Sequence, residues 1–494
     1  MEQHADRMAI ADAHGLHGYA ELRSASARVA AGLLKGRDDL AEARIGFLIT
    51  PGFAWTATLL GIWRAGGIAV PLPQGAARPE LEYFIETVGT SALVGDAPGL
   101  AGLAPLEEAT GLHPVLFDEL AGTEEAPLPE IDSARRAMIL FTSGTTSRPK
   151  GVVSTHANIA AQIHSLVTAW EWTAEDSVVL CLPLHHVHGI INVVCCALWS
   201  GALCRMLSRF DADAVWGMIA AGELTLLMAV PTIYVRLIAV WEAATPERRK
   251  ELSEAASKMR RMISGSAALP VSTLARWKEI TGQSLLERYG MTEIGMALSN
   301  PLYDDGVPGH VGWALPGVFV RLAGEDGAEV PAGTPGEIEV QGENVFKEYW
   351  NRPEATREAF RDGWFRTGDT AMLEEGGYRI LGRTSIDILK SGGHKISALE
   401  IEEVLRTHPE ITECAVVGVA DAEWGERVAA ALVLREGCAM DLSALRAWGR
   451  ELMAAYKLPS LLLVVEQLPR NAMGKVVKPE VTKLFIEERA RDGE

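Results

Sequence analysis

Residues 136–151 read RAMILFTSGTTSRPKG: an apolar run, then a loop of hydroxyls with one glycine and one lysine. The apolar run reads as a buried strand, and the small polar residues as the loop that leaves it. Backbone N–H groups converge readily in such a loop. The hydroxyls of Thr142, Ser143, Thr145 and Thr146 donate hydrogen bonds around Gly144, and Lys150 adds positive charge, which together suit a phosphate cradle. The GxxxxGK[ST] spacing of a Walker A loop is absent. A solvated Ser/Thr-rich turn fits the same residues equally well, so the surroundings decide.

Outward from the loop, strand-like and helix-like stretches alternate. Residues 44–50 (RIGFLIT) read as a buried strand and 53–64 as a helix ended by Gly66-Gly67; 67–73 follow as a strand and 78–88 as a helix. The rhythm returns with a strand at 136–141 and a helix at 156–170. Repeated strand–helix units predict an α/β fold: a large N-terminal domain of layered α/β sheets that are largely parallel. Residues 309–342 change texture to short strands separated by Gly and Pro, a small β subdomain. Beyond 381–383 the chain offers a helix at 398–407, strands at 412–418 and 429–434, and a helix at 442–455. That is a small α+β C-terminal domain of about one hundred residues. The expected division is therefore 1–384 and 385–494.

Composition narrows the function. With 494 residues, 48% hydrophobic and 22% charged, the chain is globular and large enough for two or three domains. A formal charge of -19 without a basic patch argues against a nucleic-acid partner. No stretch approaches the roughly 18 uninterrupted apolar residues of a membrane span. The six cysteines lack CxxC spacing and read as reduced, buried thiols of a reducing compartment. The N-terminus has no basic-then-apolar signal pattern. A cytoplasmic protein is the expectation, a mature mitochondrial form the alternative.

Four more pieces follow the loop in order. Tyr289-Gly290-Met291-Thr292-Glu293 sets a carboxylate beside a hydroxyl, a pair able to hold Mg²⁺ on nucleotide phosphates. Arg366-Thr367-Gly368-Asp369 offers an acid for ribose hydroxyls. Leu381-Gly382-Arg383 leads to Ser391-Gly392-Gly393-His394-Lys395, and 469–475 (PRNAMGK) presents Lys475 on a glycine turn. Each alone is a turn or a surface charge. All five in this order resemble the ANL superfamily of adenylate-forming enzymes, over nearly the full chain from Tyr19 to Lys478.

That resemblance implies an ATP-dependent acid–CoA ligase with a mobile C-terminal domain, using ATP, Mg²⁺ and coenzyme A. Residues 142–150 would be the phosphate loop, with Thr145 and Glu293 toward Mg²⁺ and Thr292 toward the α-phosphate. Gly265, Ser266, Ala267 and Tyr289 would flank adenine; Asp369 and Arg383 would hold ribose. Lys475 would neutralise the two anions that meet during adenylation, where a fixed cation stabilises the transition state. Gly393 and Lys395 fall in the segment that resembles the coenzyme A channel. The chain departs from the pattern at Ser147, where relatives usually have Gly, and at the hinge position Ser385, where many carry Asp or Lys.

The acid is addressed by two further segments, 184–189 (LHHVHG) and 286–293 (LERYGMTE), which look like those of malonyl-CoA synthetases. In that group the equivalents of His188 and Arg288 bind the distal carboxylate; Val187 and Met296 would line the pocket near the α-carbon. Physically, a guanidinium in a closed site needs an anion, and its planar fork matches a carboxylate. The expected partners are thus a small dicarboxylic acid and coenzyme A, with the protein a monomer or weak homodimer. Against this stand an Arg288 pair with Glu287, a His188 that only packs or gates, and a zinc reading of the HHxH cluster with no partner at metal spacing. Methylmalonate or succinate in place of malonate, a ligase for aromatic or medium-chain acids, a non-catalytic adenylate-binding module and a luciferase-like oxidase are the competing functions.

Overall fold

In the computed structural model the apolar run is the strand Arg136–Thr142, and the strand Lys150–Thr155 pairs antiparallel with it, Thr142 opposite Lys150. The described residues are 2–101, 111–142, 149–392, 394–421, 423–470 and 476–492. Ser143, Gly144, Thr145, Thr146, Gly393 and Lys475 lie outside them, and Lys395 is described only as part of the strand His394–Ser397. The α/β layering is as expected. Two compact units emerge: Met1–Val320 with Val340–Phe365, and Arg321–Glu339 with Arg366–Glu494.

The first unit holds two sheets. One has seven strands in the order Glu348–Tyr349, Lys150–Thr155, Arg136–Thr142, Ile68–Pro71, Arg44–Leu48, Ala92–Gly95 and Val115–Leu116. Its strands from Arg136–Thr142 onward are parallel. Helix Arg78–Val88 shows how sequence makes a layer. Pro79 pre-sets its first turn, Gly89 ends it at a φ of 60°, and Leu81, Phe84, Ile85 and Val88 recur at helical spacing on one buried stripe. That stripe packs on Val70, Leu93, Ile139 and Val153. Phe84→Ala would cost about 3–5 kcal/mol.

The other sheet has nine strands, and its middle is parallel: Leu286–Met291, Arg261–Ser264, Leu226–Ala229, Ser177–Leu180 and Leu203–Met206 lie side by side. Parallel strands buried on both faces need continuous apolar runs, and LLMA and SVVL supply them. Their C-terminal ends share one edge, where ligands of open α/β sheets bind.

In the second unit Trp364–Glu374 pairs antiparallel with Gly377–Arg383 from Asp369 onward. Further along, the strand Ile411–Asp421 alternates after a bulge near its start: Cys414 and Val416 face one core, Ala415, Val417 and Val419 the other. Helix Ala398–Leu405 covers the first face and helix Lys478–Asp492, through Val481 and Phe485, the second. Among the described residues, no helix is long and apolar enough to cross a membrane.

Candidate active site

Register explains the first cluster. Strand Leu286–Met291 lies beside Arg261–Ser264 with Ser264 opposite Glu287, so the next residues across are Gly265 and Arg288. A Cβ on residue 265 would sit 2.6 Å from both Cζ and Nε of Arg288. Only glycine lets the guanidinium lie against this backbone. Arg288 is 3% exposed, and its Nη2 donates to Ser266 Oγ at 3.3 Å. The same Oγ lies 3.2 Å from Nδ1 of His188, the buried first residue of the π-helical turn His188–Cys195. Ser266 holds a left-handed φ of 68°, a costly conformation for a residue with a Cβ.

The hydrogen-bond chain admits a proton placement that leaves its donors open to a ligand. Ser266 Oγ accepts from Arg288 and can give its single proton to His188 Nδ1, and the neutral imidazole then carries its own proton on Nε2. Burial, then the nearby Arg288 charge, keep His188 well below its ordinary pKa. Burial also pulls Arg288 down to about 9. With that placement three N–H-bearing nitrogens remain without a partner among the described residues: Arg288 Nε and Nη1, and His188 Nε2. Three buried donors and one positive charge call for an anion with several lone pairs, and a carboxylate has them. Val187 and Met296 are buried in the same unit, and Met296 Cε lies 2.7 Å from where a Cβ of Gly290 would be.

The second cluster begins just beyond the strand that carries Arg288. Glu293 sits in the turn between Leu286–Met291 and Gly295–Ser299, 5% exposed, with Thr292 half-buried beside it. The turn needs glycine at 295, where φ is 60° and a Cβ would meet Gln162 at 2.4 Å. Tyr349 OH donates to Glu293 Oε1 at 2.8 Å, and Lys150 Nζ stands 4.8 Å from the centroid of the Tyr349 ring. A buried carboxylate with an adjacent hydroxyl is a hard-oxygen donor set, which fits Mg²⁺. Tyr349 had no motif-level signal in the sequence. Tyr289 is half-buried, while Ser266 and Ala267 are exposed beside buried Gly265.

In the second unit, Asp369 and Arg383 lie opposite each other across the antiparallel pair, Nε to Oδ1 at 3.0 Å, and Arg383 Nη1 donates to Thr367 O at 2.9 Å. Gly392 donates its N–H to Trp424 O, and a Cβ there would meet the Trp424 ring at 3.0 Å. Trp424 is about half exposed, and the His394 ring stacks on Tyr456 at 4.4 Å. These aromatics around the glycine turn were not singled out from sequence.

Sequence and structure comparisons identify the family. The AMP-binding enzyme model matches residues 1–350, and the AMP-binding enzyme C-terminal domain matches 400–475. The chain belongs to the AMP-binding enzyme family. A mitochondrial malonate–CoA ligase of Mus musculus is 44% identical, with 97% of this chain and 88% of that protein covered. A malonate–CoA ligase of Arabidopsis thaliana is 39% identical, covering 97% and 86%. The crystal structure of ATP-bound MatB from Rhodopseudomonas palustris matches with a TM-score of 0.88 at 36% identity, covering 97% of this chain and 96% of that one.

Proposed function

We propose that this chain is an AMP-forming malonate–CoA ligase: malonate and ATP give malonyl-adenylate and pyrophosphate, then coenzyme A gives malonyl-CoA and AMP. The observation that carries the acid is Arg288, a buried guanidinium with two unpartnered N–H groups beside the unpartnered Nε2 of His188. A carboxylate is the ligand that satisfies all three donors. An acid with one carboxylate must spend it on the α-phosphorus and leaves the clamp empty. Leaving a buried charge without its partner costs about 3–5 kcal/mol. Acetate and propionate are therefore rejected, as sites built for polar groups reject analogues lacking them.

The remaining roles belong to the same proposal. The loop 142–150 and Lys150 hold the phosphates, and Thr292 meets the α-phosphate. Glu293, with Thr145, would hold Mg²⁺, which when bound offsets phosphate charge during adenylation. Gly265, Ala267 and Tyr289 flank adenine, while Ser266 turns its hydroxyl to the acid clamp. Asp369 and Arg383, already in register, hold the ribose hydroxyls. Lys475 stabilises the charge that gathers as the carboxylate attacks phosphorus. Gly393 and Lys395 serve coenzyme A, with Trp424 as an exposed flat surface beside that turn. A hinge at Ser385, separating 1–384 from 385–494, completes the cycle.

The test is AMP release by the purified chain with ATP, Mg²⁺ and coenzyme A, offering malonate, methylmalonate, succinate, acetate and octanoate separately. Malonate is expected to dominate. A preference for acetate or octanoate would sink the clamp; a preference for methylmalonate or succinate would keep the clamp and change the acid.

A further inference from the structure

The short segment 346–350 (FKEYW) is fastened at both ends to the nucleotide cluster. Phe346 N–H donates to the backbone carbonyl of Glu293 at 2.7 Å. Lys347 N–H donates to Val153 O at 2.8 Å, and Trp350 N–H to Gly151 O at 2.8 Å. Tyr349 pairs with Val152 on the strand Lys150–Thr155. The segment thus spans from the turn that carries Glu293 to the strand that carries Lys150. Its one side chain aimed at both is Tyr349, 7% exposed, whose hydroxyl holds the Glu293 carboxylate while its ring face lies under the Lys150 ammonium. Phe346 packs edge-on against the same ring at 4.8 Å, and Thr356 Oγ1 accepts the Tyr349 N–H at 3.0 Å.

Two independent interactions therefore leave one buried ring, and each constrains a charge of opposite sign. One carboxylate oxygen is fixed by a phenol hydroxyl and the ammonium is kept over the ring, so both charges are held in place. Hydrogen-bonded partners of this kind orient metal-binding carboxylates, and their loss typically lowers metal affinity by about ten- to a hundredfold. A ring under an ammonium contributes a smaller effect, of order two- to tenfold in an equilibrium constant.

We propose that Tyr349 is a positioning residue of the nucleotide site, setting the Glu293 carboxylate through its hydroxyl and the Lys150 ammonium through its ring face. This rests on the reading of Glu293 as the Mg²⁺ ligand and of Lys150 as a phosphate ligand, and it does not depend on which acid is used.

The two halves of the role separate by substitution. Tyr349→Phe keeps the ring and removes the hydroxyl; Tyr349→Leu removes both. Binding of ATP to the full-length protein, without acid or coenzyme A, is followed by calorimetry as Mg²⁺ is titrated. Tyr349→Phe is expected to raise the Mg²⁺ concentration for half-maximal ATP binding about tenfold or more. At saturating Mg²⁺ its ATP affinity stays within about twofold of wild type, because the lysine keeps its ring. Tyr349→Leu moves both. In a Glu293→Gln background Tyr349→Phe adds no further Mg²⁺ effect, as expected for residues acting through one contact.

If Glu293→Gln leaves the Mg²⁺ dependence alone, the reading of Glu293 fails. If Glu293→Gln shifts it and Tyr349→Phe does not, the role of Tyr349 fails. Equal losses of ATP affinity and of melting temperature in Phe and Leu variants, with no separate Mg²⁺ shift, would reduce Tyr349 to packing.

Discussion

Two buried cations in this protein have opposite surroundings. Lys478, at the start of the C-terminal helix, places Nζ 2.5 Å from Asp387 Oδ1 and 2.7 Å from Glu402 Oε1. Burial pulls its pKa down, but Glu402 and Asp387 outweigh that, and the net shift is upward. Arg288 has no ion pair among the described residues. Burial takes it down to about 9 against only the Tyr234 phenol. A buried charge that has found its counter-ions stabilises one arrangement of chain; a buried charge without them lowers stability until a ligand arrives. Lys478 has the surroundings of a folding element, and Arg288 those that the proposed function asks of a binding residue.

Substituting each cation by methionine sharpens that division most. Arg288→Met should lower kcat/KM for malonate by about 10²- to 10³-fold, the equivalent of the roughly 3–5 kcal/mol held in a buried charge pair. Its thermal midpoint should not fall, because an unpaired buried charge is replaced by an apolar chain of similar length. A clear drop in midpoint with malonate preference intact would make Arg288 structural. Lys478→Met should do the reverse. It leaves buried Asp387 without its cation and Glu402 with Arg406 alone, and should destabilise the second unit by up to about 3–5 kcal/mol. Hydrogen exchange in 387–402 reads this directly, and the ranking of acids should stay as in wild type.

The contrast was half legible in the sequence. Arg288 stands one residue before a recognisable nucleotide motif, so its nearness to chemistry could be read. Whether it had a partner could not, because that depends on strand register, Ser264 opposite Glu287, which no local pattern encodes. Strongly periodic elements were read to the residue: 53–64 and 78–88 are the helices Phe53–Arg64 and Arg78–Val88. The strand Lys150–Thr155 was missed, since KGVVST is short and follows a polar loop that draws the reading onward to the helix at 156. Tyr349 was missed because its partners are Glu293 and Lys150, far apart in sequence and joined only by the fold.

A pH series tests the same division more finely. Arg288 must be protonated to bind a carboxylate, and in the free protein it loses its proton near pH 9, so the bound anion must raise that value. Malonate affinity is then flat from pH 7 to about 9 and weakens by up to tenfold per pH unit above it. His188 sits well below its ordinary pKa and stays neutral, so it adds no bend between pH 6 and 8. Calorimetric Kd values across the range check this, and Arg288→Met should remove the bend. A bend near 6.5 instead would mean that His188 titrates and that the proton placement on Ser266 is different.

The smallest expected effect comes from Ser266, which joins the clamp at a backbone cost. Its φ of 68° suits glycine, and its hydroxyl takes one N–H of Arg288 and meets His188. Ser266→Gly releases the strain and should raise stability by up to about 1 kcal/mol. It also removes both hydrogen bonds of the hydroxyl and should raise the KM for malonate by about three- to tenfold with kcat little changed. Ser266→Ala loses the same hydroxyl but keeps a Cβ in the left-handed region. The two variants should therefore lose equal affinity and differ in stability. If alanine and glycine differ in affinity as well, the serine contributes through its backbone geometry, and Arg288 and His188 hold the carboxylate without it.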